Sequence, residues 1–269
     1  MSLSLSLVLV ACGLLAGFLT GLLGVGGGVV MVPSLYQIFL YQGESSQAAF
    51  TGAVATSLVV MIFTGTYAAM IHRRHGLLDR TLLLWTGAGT TVGAMLGANI
   101  MVAADGQLVR FAFGCFLWLV AASMYLPKVE LREQDQAVSS GYKAGLLLTG
   151  CLMGTVSGLF GIGGTTLVVP ALVVLFGIAI HQAIATATGL IVISALWGAS
   201  SYLVIGLNGA QGLAPGTGWI HPWAAAFMIP GALLCSRLGI ALARRFSRHQ
   251  LRITMVLFQV SVGARFIFF

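Results

Sequence analysis

Ten long apolar segments separated by short polar connections constrain the fold of this chain more than any other feature of its sequence. Several reach the ~20 residues that a helix needs to cross ~30 Å of hydrocarbon. Hydrophobic residues make up 58% of the chain and charged residues 7%. So many apolar residues could not all be buried in the core of a water-soluble protein. Because hydrocarbon offers the backbone no hydrogen-bonding partner, the sequence predicts an all-α polytopic membrane protein. The predicted segments are 3–23, 29–42, 47–71, 79–103, 107–126, 143–160, 166–180, 183–205, 222–243 and 250–268.

The chain also contains an internal repeat. Residues 21–33, GLLGVGGGVVMVP, recur as residues 158–170, GLFGIGGTTLVVP, with seven of thirteen positions identical. The repeat extends in both directions, because three preceding glycines at spacings of four recur and a later Ala-Thr pattern and tryptophan recur as well. We therefore predict two five-segment repeats, 1–126 and 143–269, joined by a cytoplasmic connection at 127–142. The matched glycines are Gly13, Gly17 and Gly21 with Gly150, Gly154 and Gly158.

The distribution of basic residues predicts how the repeats are oriented. Arginines and histidines cluster at 72–80 and again at 244–252, and basic connections face the cytoplasm. Six crossings between the two clusters place both on one side, so each repeat has an odd number of crossings. The repeats are then inverted, and both termini lie in the periplasm. The second segments, 29–42 and 166–180, cover only ~22 Å and are either tilted spans or re-entrant half-helices.

A glycine cluster in each repeat is the first candidate for a functional site. Glycines between two apolar helices let the backbone turn and leave amides unshielded by side chains. The helix that follows begins with free amides and the positive end of its dipole, which together bind a small oxyanion without any lysine or arginine. The alternative is that these glycines only allow helices to approach closely. The candidate positions are Gly24, Gly26, Gly27, Gly28, Gly161, Gly163 and Gly164.

Polar side chains inside the segments extend this candidate site. Hydroxyls recur in the two repeats and are able to donate to an anion, although serine and threonine also bond back to their own helix. Arg237 is a basic residue well inside a predicted span and matches Asn99 in the first repeat; it either attracts substrate or extends toward the cytoplasmic surface. Pro33 and Pro170 are predicted to bend the short helices. The candidate hydroxyls are Thr56, Ser57, Thr165, Thr166 and Thr186.

Several other function classes lack support in the sequence. The net charge of +7 is gathered in a few connections rather than on a face with interleaved aromatics, which argues against nucleic-acid binding. The four cysteines lack CxxC spacing, and neither an HExxH nor a GxSxG motif is present, so we predict no cofactor, no metal and no enzymatic activity. An intramembrane enzyme or membrane assembly factor is the rival class.

The paired motifs GLLGVGGGVVMVPSL and GLFGIGGTTLVVPAL, each followed by an Ala-Thr-rich helix, resemble the signatures of the TauE/SafE sulfite exporter family. The resemblance covers essentially the whole chain. It implies transport of a small sulfur-containing anion such as sulfite, a sulfonate or thiosulfate across a bacterial inner membrane. Both glycine clusters, the two prolines, Thr56 and Thr186 carry over, although Thr165 and Thr166 stand where the first repeat has Gly28 and Val29.

The physics of the membrane potential bears on the direction of transport. An anion leaving a negative interior gains ~2.3 kcal/mol per charge per 100 mV, so export runs downhill without ATP. Import needs a coupling ion such as the proton, and no buried acidic residue is expected in a predicted span, because Asp79 lies at the connection where its segment begins. The prediction is therefore export of sulfite or an organosulfonate by alternating access, with a proton-coupled importer as the alternative. The exact substrate and the oligomeric state stay open.

Overall fold

The computed structural model of the chain describes residues 3–23, 27–74, 78–123, 140–163, 165–208, 217–243 and 248–268. Over these ranges the chain forms ten α-helices, so the prediction of an all-α protein is confirmed. In chain order they are α1 (Leu3–Leu23), α2 (Gly28–Tyr41), α3 (Ser46–Arg74), α4 (Arg80–Ala103), α5 (Gly106–Ser123), α6 (Ser140–Phe160), α7 (Thr165–Phe176), α8 (Ile180–Asn208), α9 (Pro222–Ala243) and α10 (Arg248–Phe268).

The helices have the composition of membrane spans. In the described ranges, three stretches are long and apolar enough to cross a bilayer, namely Ser46–Ile71, Gly141–Phe160 and His181–Asn208. Six shorter apolar stretches accompany them in other helices. Many large apolar side chains on the outer faces are exposed, as expected where lipid rather than water surrounds a protein. The chain is a polytopic membrane protein.

Equivalent helices of the two repeats run antiparallel to each other. Gly65 of α3 faces Ile191 of α8, whereas Gly198, later in α8, faces Leu58, which is earlier in α3. The order of contacts is therefore reversed along the two helices. The pair α5 and α10 behaves in the same way, because Gly114 contacts Ile267 while Trp118 donates from its indole nitrogen to the Val260 carbonyl at 3.2 Å.

Other helices pair across the repeats in a crossed and parallel arrangement. The first helix of each repeat packs along the fourth helix of the other, so that α1 lies on α9 and α6 lies on α4. Gly89 faces Leu147 and Gly97 faces Thr155, so contacts advance in the same direction along α4 and α6. A pseudo-two-fold axis perpendicular to the helices explains both features. It makes equivalent helices antiparallel and packs the first helix of each repeat on the other repeat. The repeats are thus inverted.

Glycine faces allow these crossed pairs to approach closely. A Cβ added at Gly13 or Gly17 would overlap the backbone of α9 at Met228 or Ala232. In the second pair glycines line both helices, and an added Cβ on either helix would overlap backbone atoms of the other. Tight approach of small residues is a recurrent basis for helix packing within membranes. The glycines of this second pair are Gly89, Gly93 and Gly97 on α4 and Gly150, Gly154 and Gly158 on α6.

The molecule has two distinct ends. The Glu44 end contains the α2–α3 connection, the α4–α5 connection, the residues before α9 and the end of α10; Gln47 bonds the Ala104 carbonyl there at 3.3 Å. The Arg80 end contains the α3–α4 connection and the start of α6, where Lys143 lies 5.2 Å from the ring of Trp85. Since α9 begins at the Glu44 end, α9 ends and α10 begins at the Arg80 end. Both basic clusters are therefore associated with the Arg80 end.

Several segment boundaries differ from the sequence prediction by two to four residues, most of all at the end of α7. The segment predicted at 166–180 ends as a helix at Phe176, because Gly177 adopts a left-handed φ of +65° that an α-helix cannot contain. The chain then enters α8 at Ile180, earlier than predicted. The predicted connection 127–142 lies mostly outside the described residues, and α6 begins within it at Ser140.

Candidate functional site

The two glycine turns of the sequence repeat meet at the interface between the repeats. Gly28, at the start of α2, is buried against the turn between α6 and α7, where an added Cβ would overlap the Gly161 carbonyl oxygen and the Ile162 Cα. Sequence separation between the turns exceeds 130 residues, yet their backbones touch. The predicted positions Gly24, Gly26 and Gly164 lie outside the described residues.

The two turns have different backbone conformations. Gly161 and Gly163 adopt positive φ angles of +63° and +78°, which side chains other than glycine rarely tolerate. Gly27 instead caps α2 with a φ of −54°, and its carbonyl accepts from Val30 N at 3.1 Å and Met31 N at 2.9 Å. The half-sites are therefore not copies of each other, as the differing sequences Gly28-Val29 and Thr165-Thr166 imply.

The contact between the turns lies halfway along the longest helices. A Cβ on Gly28 would meet the methyl group of Met61, and one on Gly163 would meet Met61 and Ile191. Met61 lies near the middle of the 29-residue α3, and Ile191 lies near the middle of the 29-residue α8. Both short helices thus begin at mid-depth and run along about half of the longer helix beside them.

Because α6 begins and α7 ends at the Arg80 end, where the rings of Tyr142 and Phe176 lie 5.5 Å apart, the segment 166–180 does not cross. The prediction of six crossings between the basic clusters is therefore wrong: α4, α5, α8 and α9 cross, which is also an even number.

The start of α2 is enclosed by protein. Residues 28–33, including Pro33, are all buried. The Gly27 carbonyl accepts the amides of Val30 and Met31, whereas no hydrogen bond is found for the amides of Gly28 and Val29 within the described residues. The positive end of the helix dipole lies beside the Gly161 carbonyl, which Gly28 contacts. By contrast Pro170 in α7 is exposed, so the second short helix lies nearer the surface. Thr165 and Thr166 occupy the first turn of α7.

Two of the predicted hydroxyls join the repeats. Ser57 Oγ lies 2.8 Å from the Val54 carbonyl oxygen and 3.1 Å from the Gly161 carbonyl oxygen, to either of which it donates. Thr56 Oγ1 accepts from the backbone amide of His221 at 3.1 Å. Both side chains are fully buried. They connect the middle of α3 to the second glycine turn and to the start of α9.

Thr186, the repeat partner of Thr56, differs from it in hydrogen bonding. Its side chain is fully buried, and its hydroxyl has no hydrogen-bond partner among the described residues. A buried hydroxyl without a partner is costly in an apolar interior. Of the three predicted hydroxyls whose side chains are described, Thr186 is the one that remains free to bind a ligand.

The remaining predicted positions are spread more widely. Asn99 is exposed on α4 and donates from Nδ2 to the Met95 carbonyl of its own helix at 2.8 Å. Its repeat partner Arg237 lies in α9, between a buried serine and an exposed leucine. The side chain of Arg237 lies outside the described part of the structure, and Asn99 has no described contact with the glycine turns.

An acid–imidazole pair, Glu44 and His221, is buried at the Glu44 end. Nε2 of His221 lies 3.1 Å from Oε1 of Glu44, and the other carboxylate oxygen is buried without a hydrogen-bond partner among the described residues. The imidazole stacks on Phe39 with ring centroids 3.9 Å apart and meets Trp223 edge-on. Only 8% of His221 is exposed. The pair is linked to Thr56 through the His221 amide.

Comparison with known proteins agrees with this architecture. The family model described as "Sulfite exporter TauE/SafE" matches residues 9–266. A probable membrane transporter protein of Xylella fastidiosa is 31% identical, over 96% of this chain and 93% of that protein. The probable membrane transporter proteins YunE of Bacillus subtilis and MJ0441 of Methanocaldococcus jannaschii are 29% and 27% identical, covering 97% and 92% of this chain and 97% and 90% of their own lengths. No solved structure gives a significant match.

Proposed function

We propose, since this chain belongs to the sulfite exporter TauE/SafE family of membrane transporters, that it exports a small sulfur-containing oxyanion, sulfite or an organosulfonate. The membership covers residues 9–266 and therefore both repeats. Its curated relatives are named as membrane transporters, which points away from an intramembrane enzyme or an assembly factor.

The observation that carries the proposal is the meeting of the two glycine turns halfway along α3 and α8. Gly28 packs against Gly161 and Ile162 at the junction of the inverted repeats. Inverted repeats with interrupted helices place substrate near the bilayer midplane, at the interface between the repeats. The same junction holds the first amides of α2, which suit an anion because the helix dipole is positive there.

The substrate site that we propose includes the positions predicted from the sequence. The amides of Gly27 and Gly28 and the free hydroxyl of Thr186 would donate to the oxyanion, while Ser57 fixes the facing turn. The proposed site also includes Gly24, Gly26, Gly163, Gly164, Thr165 and Thr166, as the sequence predicts, and Thr56 is proposed to position α9 through the His221 amide. Arg237 is proposed to attract the anion from the Arg80 end.

We propose that transport proceeds by alternating access, which the inverted symmetry of the fold supports. In the structure the turns are in contact, with no room for a side chain between them. Movement of one repeat relative to the other about the pseudo-two-fold axis would open the junction first toward one end and then toward the other. Tight contact between the turns in one state is therefore part of the proposed cycle.

The orientation that we propose places the Arg80 end in the cytoplasm of a bacterial inner membrane and both termini in the periplasm. It is supported by the two basic clusters, which belong to the same end, and by α1 beginning and α10 ending at the other. The membrane potential then favours outward movement of the anion by ~2.3 kcal/mol per charge per 100 mV.

The test is sulfite efflux from proteoliposomes under an imposed potential, with wild-type protein and a Thr186→Val variant. Valine removes the free hydroxyl while keeping its volume, so we expect a folded protein whose apparent affinity for sulfite is about tenfold weaker. Thr90→Val is the matched control, because that hydroxyl is also buried but donates to Thr86 of its own helix at 2.8 Å. No potential-dependent flux of sulfite, thiosulfate or sulfonates in the wild type would overturn the proposal.

One observation favours the second candidate, a proton-coupled importer. The Glu44–His221 pair is buried, can bind a proton and is joined to the candidate site through Thr56. An imposed pH gradient without a membrane potential separates the two candidates. Uptake driven by that gradient, and lost in Glu44→Gln, would favour import, whereas flux that follows only the potential favours export.

A further inference from the structure

Two arginines from different helices converge on the C-terminal half of α2 at the Glu44 end. Nη1 of Arg110, near the start of α5, donates to the hydroxyl of Tyr36 at 3.0 Å. Nη2 of Arg265, in the last turn of α10, donates to Oε1 of Gln37 at 2.9 Å. Tyr36 and Gln37 are consecutive on α2, so the two guanidinium groups approach the same point.

Neither arginine has an anionic partner within the described part of the chain. Nε of Arg110 donates to the Gly106 carbonyl at 3.2 Å, and its other hydrogen bond is to a neutral phenol. The ion pair found in these ranges is His221–Glu44, which involves neither arginine. Asp105 lies nearby, but its carboxylate caps α5 by accepting from Gln107 N at 2.7 Å. Among the described residues, the hydrogen bonds of both guanidinium groups therefore go to neutral groups.

The placement is unusual for membrane arginines. Connections facing away from the cytoplasm avoid lysine and arginine, and the Glu44 end is the end that we propose to be outside. Both side chains hydrogen-bond to α2, Arg110 half-buried and Arg265 exposed, and Phe266 packs beside Tyr36 with ring centroids 5.2 Å apart. A pair of fixed, unneutralised guanidinium groups indicates a binding role, because arginine presents a planar set of donors that matches an oxyanion.

A cavity separates the two arginines. It has a volume of about 130 Å³ and is lined by Tyr36, Gln37, Leu40, Arg110, Arg265 and Phe266. A larger cavity of about 490 Å³, which Asp105 also lines, shares Arg110 and Phe266 with it. The smaller cavity thus combines two cations, a phenol and an amide in a pocket with apolar walls, and the larger one provides its approach.

We propose that Arg110 and Arg265 form a docking site for a small oxyanion at the Glu44 end, separate from the glycine turns. Tyr36 is eight residues from Gly28, which places the two sites ~12 Å apart along α2. The identification of the docked anion with the transported one rests on the proposed function. The binding of an oxyanion by the two arginines is independent of it.

The test is equilibrium binding of [³⁵S]sulfite to the full-length protein in nanodiscs of phosphatidylcholine, which carries no net charge. Arg265→Gln and Arg110→Gln should each weaken one class of sites at least about tenfold, because each removes a charged hydrogen bond. Lys143→Gln removes the same charge at the opposite end, where Lys143 contacts Trp85, and should leave binding unchanged. Unchanged binding in both arginine variants would overturn the site.

Two further arms keep the result interpretable. If Arg110→Gln does not fold, Arg265→Gln and Tyr36→Phe test the same cavity with smaller structural consequences, since Arg265 is exposed and Tyr36→Phe removes only the hydroxyl that orients Arg110. Nanodiscs containing phosphatidylglycerol test the other source of an oxyanion. Retention of that lipid on the arginines, without sulfite binding in its absence, would show a headgroup site and overturn the proposal.

Failure of this site and failure of the proposed function give different results. Arginine-dependent sulfite binding without any sulfite flux would leave the docking site standing and remove the exporter. Potential-driven sulfite flux with unchanged apparent affinity in Arg110→Gln and Arg265→Gln would leave the exporter standing and remove the docking site.

Discussion

At the scale of single residues, Gly28 is a position at the proposed site where the structure leaves no room for a side chain. An alanine Cβ there would overlap the Gly161 carbonyl and the Ile162 backbone, neither of which is a flexible side-chain end. We expect Gly28→Ala to destabilise the protein by about 1–3 kcal/mol and to abolish flux. Thermal unfolding in detergent and sulfite flux in proteoliposomes measure the two effects.

Gly141 provides the matched control for that prediction. It lies in the first turn of α6, and nothing is within 4 Å of the position that its Cβ would take. Gly141→Ala should be neutral or stabilising, because alanine has the higher helix propensity. A Gly28→Ala variant as stable and active as Gly141→Ala would show that the turns are not packed as described.

The Glu44–His221 pair gives a second prediction at this scale. His221→Ala leaves the Glu44 carboxylate without its partner and removes the ring that stacks on Phe39. We expect a loss of about 1–3 kcal/mol from the unpaired group in addition to the lost packing. A double-mutant cycle with Glu44→Gln measures the coupling, and strictly additive losses would contradict the pair.

Sequence reasoning reached the glycine turns but not this pair. Glycines repeated at the same spacing identify Gly28 and Gly161 because a turn leaves its signature in the sequence. The pair could not be predicted because Glu44 and His221 are 177 residues apart and lie outside the predicted apolar segments. Their contact depends on α2 and α9 meeting at the Glu44 end, which no local pattern encodes.

At the scale of helices, the α4–α6 pair carries the clearest prediction. Gly93 faces Cys151 and Thr155, and a larger side chain there would overlap the backbone of α6. Gly93→Val should therefore separate the helices and destabilise the protein by about 1–3 kcal/mol. Ala88→Val on the exposed face of α4 should change stability by no more than about 0.5 kcal/mol.

Chemical unfolding of both α4 variants in detergent measures that difference. Equal stability of Gly93→Val and Ala88→Val would mean that the glycine face is not the packing surface. Retained stability with lost flux would instead point to movement of α4 against α6 during transport.

Helix positions were predictable because lipid imposes a length on each apolar segment. The exception was the end of α7, where Gly177 ended the helix within an apolar run that hydropathy alone continues to residue 180. Which helices pack against each other could not be predicted in the same way. The glycines of α1 and α6 indicated close packing, but that each packs on the fourth helix of the other repeat depends on the three-dimensional arrangement.

At the scale of the whole molecule, the proposed orientation predicts which residues react from outside the cell. Gln107 at the Glu44 end and Arg80 at the other end are both exposed. In a variant with Cys12, Cys115, Cys151 and Cys235 replaced by alanine, Gln107→Cys should react with a membrane-impermeant maleimide on intact cells. Arg80→Cys should react only after the cells are permeabilised.

The reverse labelling pattern would place the Arg80 end outside and contradict the orientation derived from the basic clusters. Labelling of both positions from outside would contradict the antiparallel arrangement on which the inverted repeats depend. The sequence predicted the inversion from the positions of the basic clusters and the odd number of crossings in each repeat. The structure supports it independently through the contacts of α3 with α8.

The exchange of first helices between repeats has a consequence for how the protein is made. Gly17 and its neighbour Ala232 are roughly 200 residues apart, so a ribosome working at ~5–20 residues per second needs ~10–40 s to supply the partner of α1. During that interval α1 lacks α9, the helix on which it packs in the folded protein. Neither half is a complete folding unit, and the two halves made as separate polypeptides should be stable only when they are synthesised together.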